Sequence, residues 1–358
     1  MKRLYAISLL LALLLFTVAR AVAEGEFTLL DTRTYLLTDT YEVVNTDTQP
    51  ITDVTVKLLA GGTDDPSSPN SLGASLYQQR IKYKADPKFA SVSSDKLGNL
   101  IGTIHLGVLQ PGERRTVSMR KLVKNSGISF AADIYTRQPD YDAFLADPAN
   151  ARFVQYVKPS RHIESDSQEV KDDVSHLNIH QPVVALARDI FAGVNACLTY
   201  DESPAESHQG ALHAMHTRRG VCTEFAALFV AYCRSLNIPA RVVTGYWLDS
   251  KVLPTMQQNV PMNVTVHLHA WPEFYLPTVG WIPAEPTFLY TLNGKRIPDY
   301  HHFAALPPTE RHLVWEYGLE IEHTHDFELT YVSQGGKEVC SYKLVEQTAT
   351  WMADDATL

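Results

Sequence analysis

Apolar and polar positions change rhythm twice along the chain. From Glu24 to about Ile134 the apolar runs are short and β-rich, at Tyr41–Asn45, Ile51–Leu59, Leu100–Leu106 and Thr116–Val123. Turn chemistry separates them, in the polar stretch Thr46 to Pro50 and at Pro111-Gly112, and this spacing predicts a β-sandwich over 24–135. Residues 136–181 are rich in Asp, Pro and Ser with little periodicity, which predicts a linker. The period then becomes helical. Pro182 suits a first turn, and Val183, Ala187, Ile190 and Val194 fall on one face of a helix reaching Ala196. A short helix is expected over Gly210–His216, and a longer one over Thr223–Leu236, apolar around most of its circumference and therefore buried. Asn237 tolerates the left-handed cap conformation and Pro239 forbids continuation, so the chain should turn there into a strand, Ala240–Trp247.

Val264 to Trp271 alternates strictly, which predicts a strand with Val264, Val266, Leu268 and Ala270 on one face and Thr265, His267, His269 and Trp271 on the other. Gly280–Thr287 adds a further strand ending near Glu285. Past a polar loop, apolar runs at Leu313–Ile321, Phe327–Val332 and Val339–Val345, the last two joined by Gly335-Gly336, are expected to complete or buttress the same sheet.

Chemistry concentrates at the long helix. Cys222 sits at its start, where Gly220 frees the turn and the positive end of the helix favours a thiolate, the nucleophilic form of cysteine. A lone cysteine is more often a core residue than a nucleophile. Here, however, two imidazoles and a carboxylate accompany it, and a nucleophile, a base and an orienting acid make a catalytic set. Alternation alone cannot choose between His267 and His269.

The runs GVCTEFAALFVAYCRSLNIPARVVTGY and HAWPEFYLPTVGWIPAEPT resemble the catalytic core of the transglutaminase-like superfamily, a branch of the papain-like cysteine enzymes. The resemblance spans about Pro182–Thr287, with three motifs in the family's order. It implies that Cys222 is the nucleophile, His269 the base and Glu285 the third member, where aspartate is usual; Pro272 follows the His-Ala-Trp motif, and Asn237 replaces a common glycine. It also implies an α+β fold, with an Ig-like N-terminal sandwich and a papain-like core over 182–310 whose central helix packs on an antiparallel sheet. The implied activity is attack on a peptide or glutamine carboxamide through a thioester, resolved by water or by an amine. A non-catalytic peptide-binding or envelope-assembly protein using the same cleft is the alternative.

Composition narrows the partners. Met1–Ala23 carries Lys2 and Arg3, an apolar run from Leu4 to Val18 and a small-x-small end at Ala21-Val22-Ala23, the pattern of a cleaved signal peptide. The expected location is extracytoplasmic, with no membrane contact after cleavage and a C-terminal segment 311–358 closing the core. Without that leader, 28 Lys and Arg face 40 Asp and Glu, a net charge of −12, which disfavours nucleic acid. A protein or peptide substrate is expected, cell-envelope peptide included. Four cysteines are few for an exported chain, and Cys197 with Cys340 is the one disulfide entertained. No cofactor is expected. Nor is a metal: His176 with His180, His213 with His216, His301-His302 and His323 with His325 match no strong ligand motif.

Overall fold

The computed structural model describes residues 26–62, 73–203, 207–277, 279–293, 295–321, 327–333 and 339–358. The leader at 1–23, the His323 and His325 pair and the Gly335-Gly336 turn lie outside these residues.

The N-terminal part is a β-sandwich, as its short β-rich runs and turns predict. In β1 (Phe27–Asn45) the odd positions from Tyr35 to Asn45 are all buried, the two-residue period of a strand with one covered face. The chain continues through β2 (Ile51–Gly62), β3 (Gln78–Asp86), β4 (Ser91–Ser94), β5 (Asn99–Leu109) and β6 (Arg114–Phe130). β1, β3 and β6 share one sheet and β2, β4 and β5 a second. Tyr41, Val43, Val56, Ile104 and Met119 fill the space between them.

The expected linker is helical instead. It contains α1 (Ile134–Arg137), α2 (Tyr141–Ala146) and α3 (Gln168–Val174), and its Phe144, Ile163, Val170 and Val174 are buried in the core of the following domain. These helices are too short to show a period. The polar residues that read as linker are in part their caps: Asp140 accepts the Ala143 N–H and Ser167 the Val170 N–H.

The helical core follows: α4 (Val183–Cys197), β7 (Thr199–Tyr200), α5 (Ala211–Thr217), β8 (Arg219–Gly220), α6 (Cys222–Ser235), β9 (Ala240–Leu248), β10 (Pro261–Asn263), β11 (Leu268–Leu276) and β12 (Gly280–Pro283). A hairpin, β13 (Leu289–Leu292) and β14 (Lys295–Pro298), and a short β15 (Ala305–Leu306) lead to β16 (Arg311–Gly318). Strands pair in the order β12-β11-β9-β16, all antiparallel, and α6 lies buried between this sheet and α4, with Val183, Ala187, Ile190 and Val194 of α4 in the same core.

The last two strands correct an expectation. Only β16 extends the core sheet; β17 (Phe327–Val332) pairs with β2, and β18 (Cys340–Met352) pairs with β1 from Thr34↔Met352 to Asn45↔Cys340. A strand's alternation specifies which face is buried, not which edge it joins, so the sequence could not assign them. Cys197 and Cys340 therefore lie in different hydrophobic cores, and all four cysteines are free thiols. Together these elements make an α+β chain.

The sandwich and the core sheet are joined by buried polar contacts. Side-chain amides of the sandwich satisfy the outer edge of β16: Gln78 exchanges two hydrogen bonds with the Val314 backbone, Asn99 two with Tyr317, and Asn125 donates to the His312 carbonyl at 2.8 Å. Beneath them, Arg241 of β9 and Glu273 of β11 form a fully buried ion pair at 2.6 Å, with Ser75 and Tyr77 donating to the other oxygen of Glu273.

Candidate active site

Cys222 is the first residue of α6 and half-buried. The turn before it is fixed by a carboxylate two residues beyond. Glu224, wholly buried, accepts the Val221 N–H at 3.2 Å, the Thr223 hydroxyl at 2.8 Å and the Gln209 N–H at 2.8 Å. Gly220 is required by this close approach, since a Cβ there would stand 2.3 Å from the Glu224 Cβ; its φ is ordinary, so backbone freedom is not the reason expected from sequence. At the other end Asn237 is left-handed, φ 55°, and the Ile238 and Asn237 N–H groups return to Cys233 and Arg234, a Schellman cap.

The strand predicted from Val264 begins later. The Asn263 side chain accepts the Thr265 N–H at 2.9 Å and opens a 3-10 turn over Thr265–His267, so β11 starts only at Leu268 and Val266 is 84% exposed. His267 thus does not share a strand face with His269; it lines the outer cleft. Local side-chain competition for the backbone, which alternation does not register, is the cause.

His269 is 8% exposed and Glu285 fully buried, and the imidazole Nε2 meets Oε2 of Glu285 at 2.6 Å. The longer side chain of glutamate therefore reaches the position. Its second oxygen accepts the Thr287 N–H at 3.1 Å, and its backbone N–H donates to the His302 carbonyl at 2.8 Å. With Nε2 on the acid, Nδ1 is the nitrogen left for the neighbouring Cys222 thiol. Burial works against a charge on His269, but the Glu285 carboxylate and the Cys222 sulfur outweigh it and raise the imidazole to about 10. Burial likewise opposes ionised Glu285, and the His269 and His312 rings override it, holding the acid well below the usual carboxylate range.

Two clefts meet at Leu268 and His269. The smaller, about 140 Å³, is lined by Val221, Cys222, Thr223 and Thr244; the larger, about 420 Å³, by Tyr200, Trp247, His267 and Phe288. Tyr200 of β7, beside the thiol, has its phenol pushed up to about 12 by burial and by the neighbouring Cys222 and carboxylates. Trp247 and His312 were not singled out from sequence. Trp247 packs 5.4 Å from the His269 ring and donates its indole N–H to Glu310 at 2.9 Å, and Glu310 in turn holds His302 at 2.7 Å. A histidine at the start of the otherwise apolar run 313–315 was the available signal for His312.

The histidines of the other three pairs weighed as ligands lie among the described residues. His176 and His180 are exposed on the segment after α3, His216 is hydrogen-bonded to Glu169, and His301 and His302 both bond Asp299. Among the described residues, the one group of such side chains close enough to share an ion is His269, Glu285 and His312, the site itself. Among them too, no helix is long and apolar enough to cross a membrane.

A cysteine at the N-terminus of a buried helix, facing a histidine on an antiparallel sheet, is the papain-like arrangement. Residues 175–286 match the family model of the transglutaminase-like superfamily, about a third of the chain. An uncharacterized protein of Mycobacterium leprae is 30% identical over 139 residues, 38% of this chain and 46% of that protein. One of Mycobacterium tuberculosis is 24% identical over 228 residues, 61% of this chain and 69% of its own. A protein-glutamine gamma-glutamyltransferase of Pseudomonas aeruginosa is 35% identical over 72 residues, 20% of this chain and 10% of that enzyme. The chain thus spans under half of the first relative and a tenth of the last. A solved candidate cysteine protease from Cytophaga hutchinsonii covers 91% of this chain and 99% of itself, with a TM-score of 0.51 at 14% identity, a likeness of fold.

Proposed function

We propose that the chain is an exported cysteine-dependent acyl-transfer enzyme acting on protein or peptide carbonyls. The observation that carries this reading is the His269 imidazole, buried between the Cys222 thiol and the Glu285 carboxylate, 2.6 Å from the latter. Cys222 sulfur attacks a carboxamide or peptide carbonyl carbon. His269 holds the thiol proton and delivers it to the departing amine, leaving a thioester on Cys222. Water or a second amine, deprotonated by His269, then attacks the thioester and releases the thiol. The Cys222 N–H, at the first position of α6, is the donor we assign to the developing oxyanion, since the first N–H groups of a helix have no carbonyl a turn earlier to bond. Trp247 is not a second donor as it stands, because its indole N–H is given to Glu310. Export rests on the leader pattern at 1–23.

Mild alkylation of the folded protein followed by peptide mass analysis tests the nucleophile. Burial raises the thiols of Cys197, Cys233 and Cys340 above their ordinary range, so Cys222 alone should be labelled near neutral pH. Labelling first at another cysteine overturns the assignment. Incubation with a glutamine-bearing protein and a labelled primary amine separates the acceptors: Cys222-dependent incorporation outrunning hydrolysis identifies amine transfer, and the reverse identifies a hydrolase.

A further inference from the structure

His312 is a buried imidazole that the mechanism above does not use. Its side chain is 1% exposed on β16, and neither ring nitrogen has a hydrogen bond of good geometry among the described residues. A histidine serving only as packing would gain from replacement by an apolar ring, since a buried polar atom without a partner is costly. Its Nε2, however, stands 3.5 Å from Oε2 of Glu285, the same oxygen that His269 holds.

The sheet is built to allow this approach. His269 and Trp271 on β11, Gly245 and Trp247 on β9, and His312 on β16 share one face by alternation and register, with His269 opposite Gly245 and His312 opposite Trp247. Gly245 lies between the two histidine strands, and the Leu313 carbonyl and the Trp271 ring fill the room its side chain would take. A Cβ there would lie 2.0 Å from the Leu313 carbonyl oxygen and 3.1 Å from the Trp271 ring. Across β9 the His312 ring meets Trp271 edge-on at 5.0 Å and stands 6.0 Å from His269. The backbone of His312 is held by Asn125 from the sandwich, so its distance from Glu285 is set by the N-terminal domain.

We propose that His312 is a positioning residue, a second imidazole N–H that keeps the Glu285 carboxylate in line with His269 while His269 exchanges its proton with the thiol and the leaving group. It rests on the catalytic reading of Cys222, His269 and Glu285. With the proton on Nε2, the ring presents a donor to the anion and leaves only a lone pair unmet at Nδ1, the cheaper atom to bury alone. As His269 turns toward the leaving group its bond to Glu285 lengthens, and His312 closes from 3.5 Å to hold the oxygen. No proton leaves His312; the ring acts through Glu285 only.

The test is the second-order rate of Cys222 alkylation by iodoacetamide in His312→Phe, His312→Gln and His312→Asn, each alone and combined with Glu285→Gln. Glutamine places an amide N–H near the Nε2 position; asparagine falls short. A hydrogen bond to a charged group predicts a loss of about tenfold in His312→Phe and in His312→Asn, with His312→Gln within about twofold of wild type. In the Glu285→Gln background the three should be alike, because the group they act through is gone. A His312→Phe rate equal to wild type, or a loss that persists undiminished beside Glu285→Gln, overturns the proposal. Should His312→Phe lack a cooperative melting transition, the pair His312→Gln and His312→Asn decides, and equal rates in those two overturn it. The catalytic reading fails separately: His269→Ala would then leave alkylation unchanged, whereas slow alkylation in His269→Ala with normal rates in every His312 variant sinks only the role of His312.

Discussion

Strand β11 carries one member of each of two buried acid–base pairs, His269 and Glu273, and the pairs are alike in burial and distance but not in their chemistry. Glu273 is met by Arg241, Ser75 and Tyr77, and the Arg241 guanidinium lies between the rings of Trp281 and Tyr317 at 4.1 and 3.8 Å while also donating to the Gly73 carbonyl. Guanidinium cannot lose its proton in this setting, so this pair is a fixed charge with its partners in place. His269 and Glu285 pair at a similar distance, but imidazole exchanges a proton and its other nitrogen faces a half-buried thiol at the edge of a cleft. Buried charge fastens a fold when it cannot titrate and does chemistry when it can. The two pairs should therefore fail differently when broken.

The largest effects should come from single removals. Cys222→Ala should abolish acyl transfer with an unchanged melting transition, whereas Arg241→Leu should cost ~3–5 kcal/mol of stability, since it strands a buried carboxylate. Thermal melts read beside turnover separate the two; an active, fully stable Arg241→Leu would erase the distinction. Next, His269→Ala should remove ~10² to 10⁴ of rate, with His267→Ala within a few-fold of wild type. A greater loss in His267→Ala would exchange their roles.

Glu285→Gln should fall between those two and shift the pH profile. Against burial, the carboxylate and the Cys222 sulfur together raise His269 to about 10, so wild-type turnover should decline only as pH rises through that region, when the imidazolium can no longer supply a proton. Without the carboxylate the raised affinity relaxes, and the alkaline limb should move to lower pH. The matching stability contribution of His269 is complete below the ordinary histidine value, near 6.5, and is lost on going up through about 10. An unmoved limb in Glu285→Gln would make that residue structural. The smallest effect sharpens the contrast from the other side: Tyr77→Phe removes one donor from Glu273 and the partner of the Trp271 indole, costing ~1–3 kcal/mol in urea melts while leaving Cys222 alkylation at the wild-type rate.

The helix that begins at Cys222 was legible in sequence because its signals are local. The apolar circumference of α6, Asn237 as its cap and Cys222 at its first turn all lie within one short stretch. His269 and Glu285 were legible only through the resemblance, since alternation placed His267 beside His269 and the Asn263 turn undid that. What was not legible depends on strand neighbours. His312 reaches Glu285 only because β16 joins β9 across Gly245, and β17 and β18 turn away to the sandwich, two pairings that no periodicity encodes. The segment 136–181 was misread for a related reason, its helices being stabilised by caps and by packing on α6 more than by their own pattern.

The pairing of β1 with β18 also imposes a timetable on the molecule. Its partners lie about 300 residues apart, as in Thr34↔Met352, and contacts so distant in sequence form late. The core sheet, whose strands lie between Ala240 and Gly318, has no such wait among its own pairings. In refolding followed by pulsed hydrogen exchange, β9 and β11 should be protected before β1. The outer edge of β16, satisfied by Gln78, Asn99 and Asn125, should follow the sandwich instead. The thiol would then exist before its surroundings are finished, and the chain would become fully reactive only once its last strand has been laid into place.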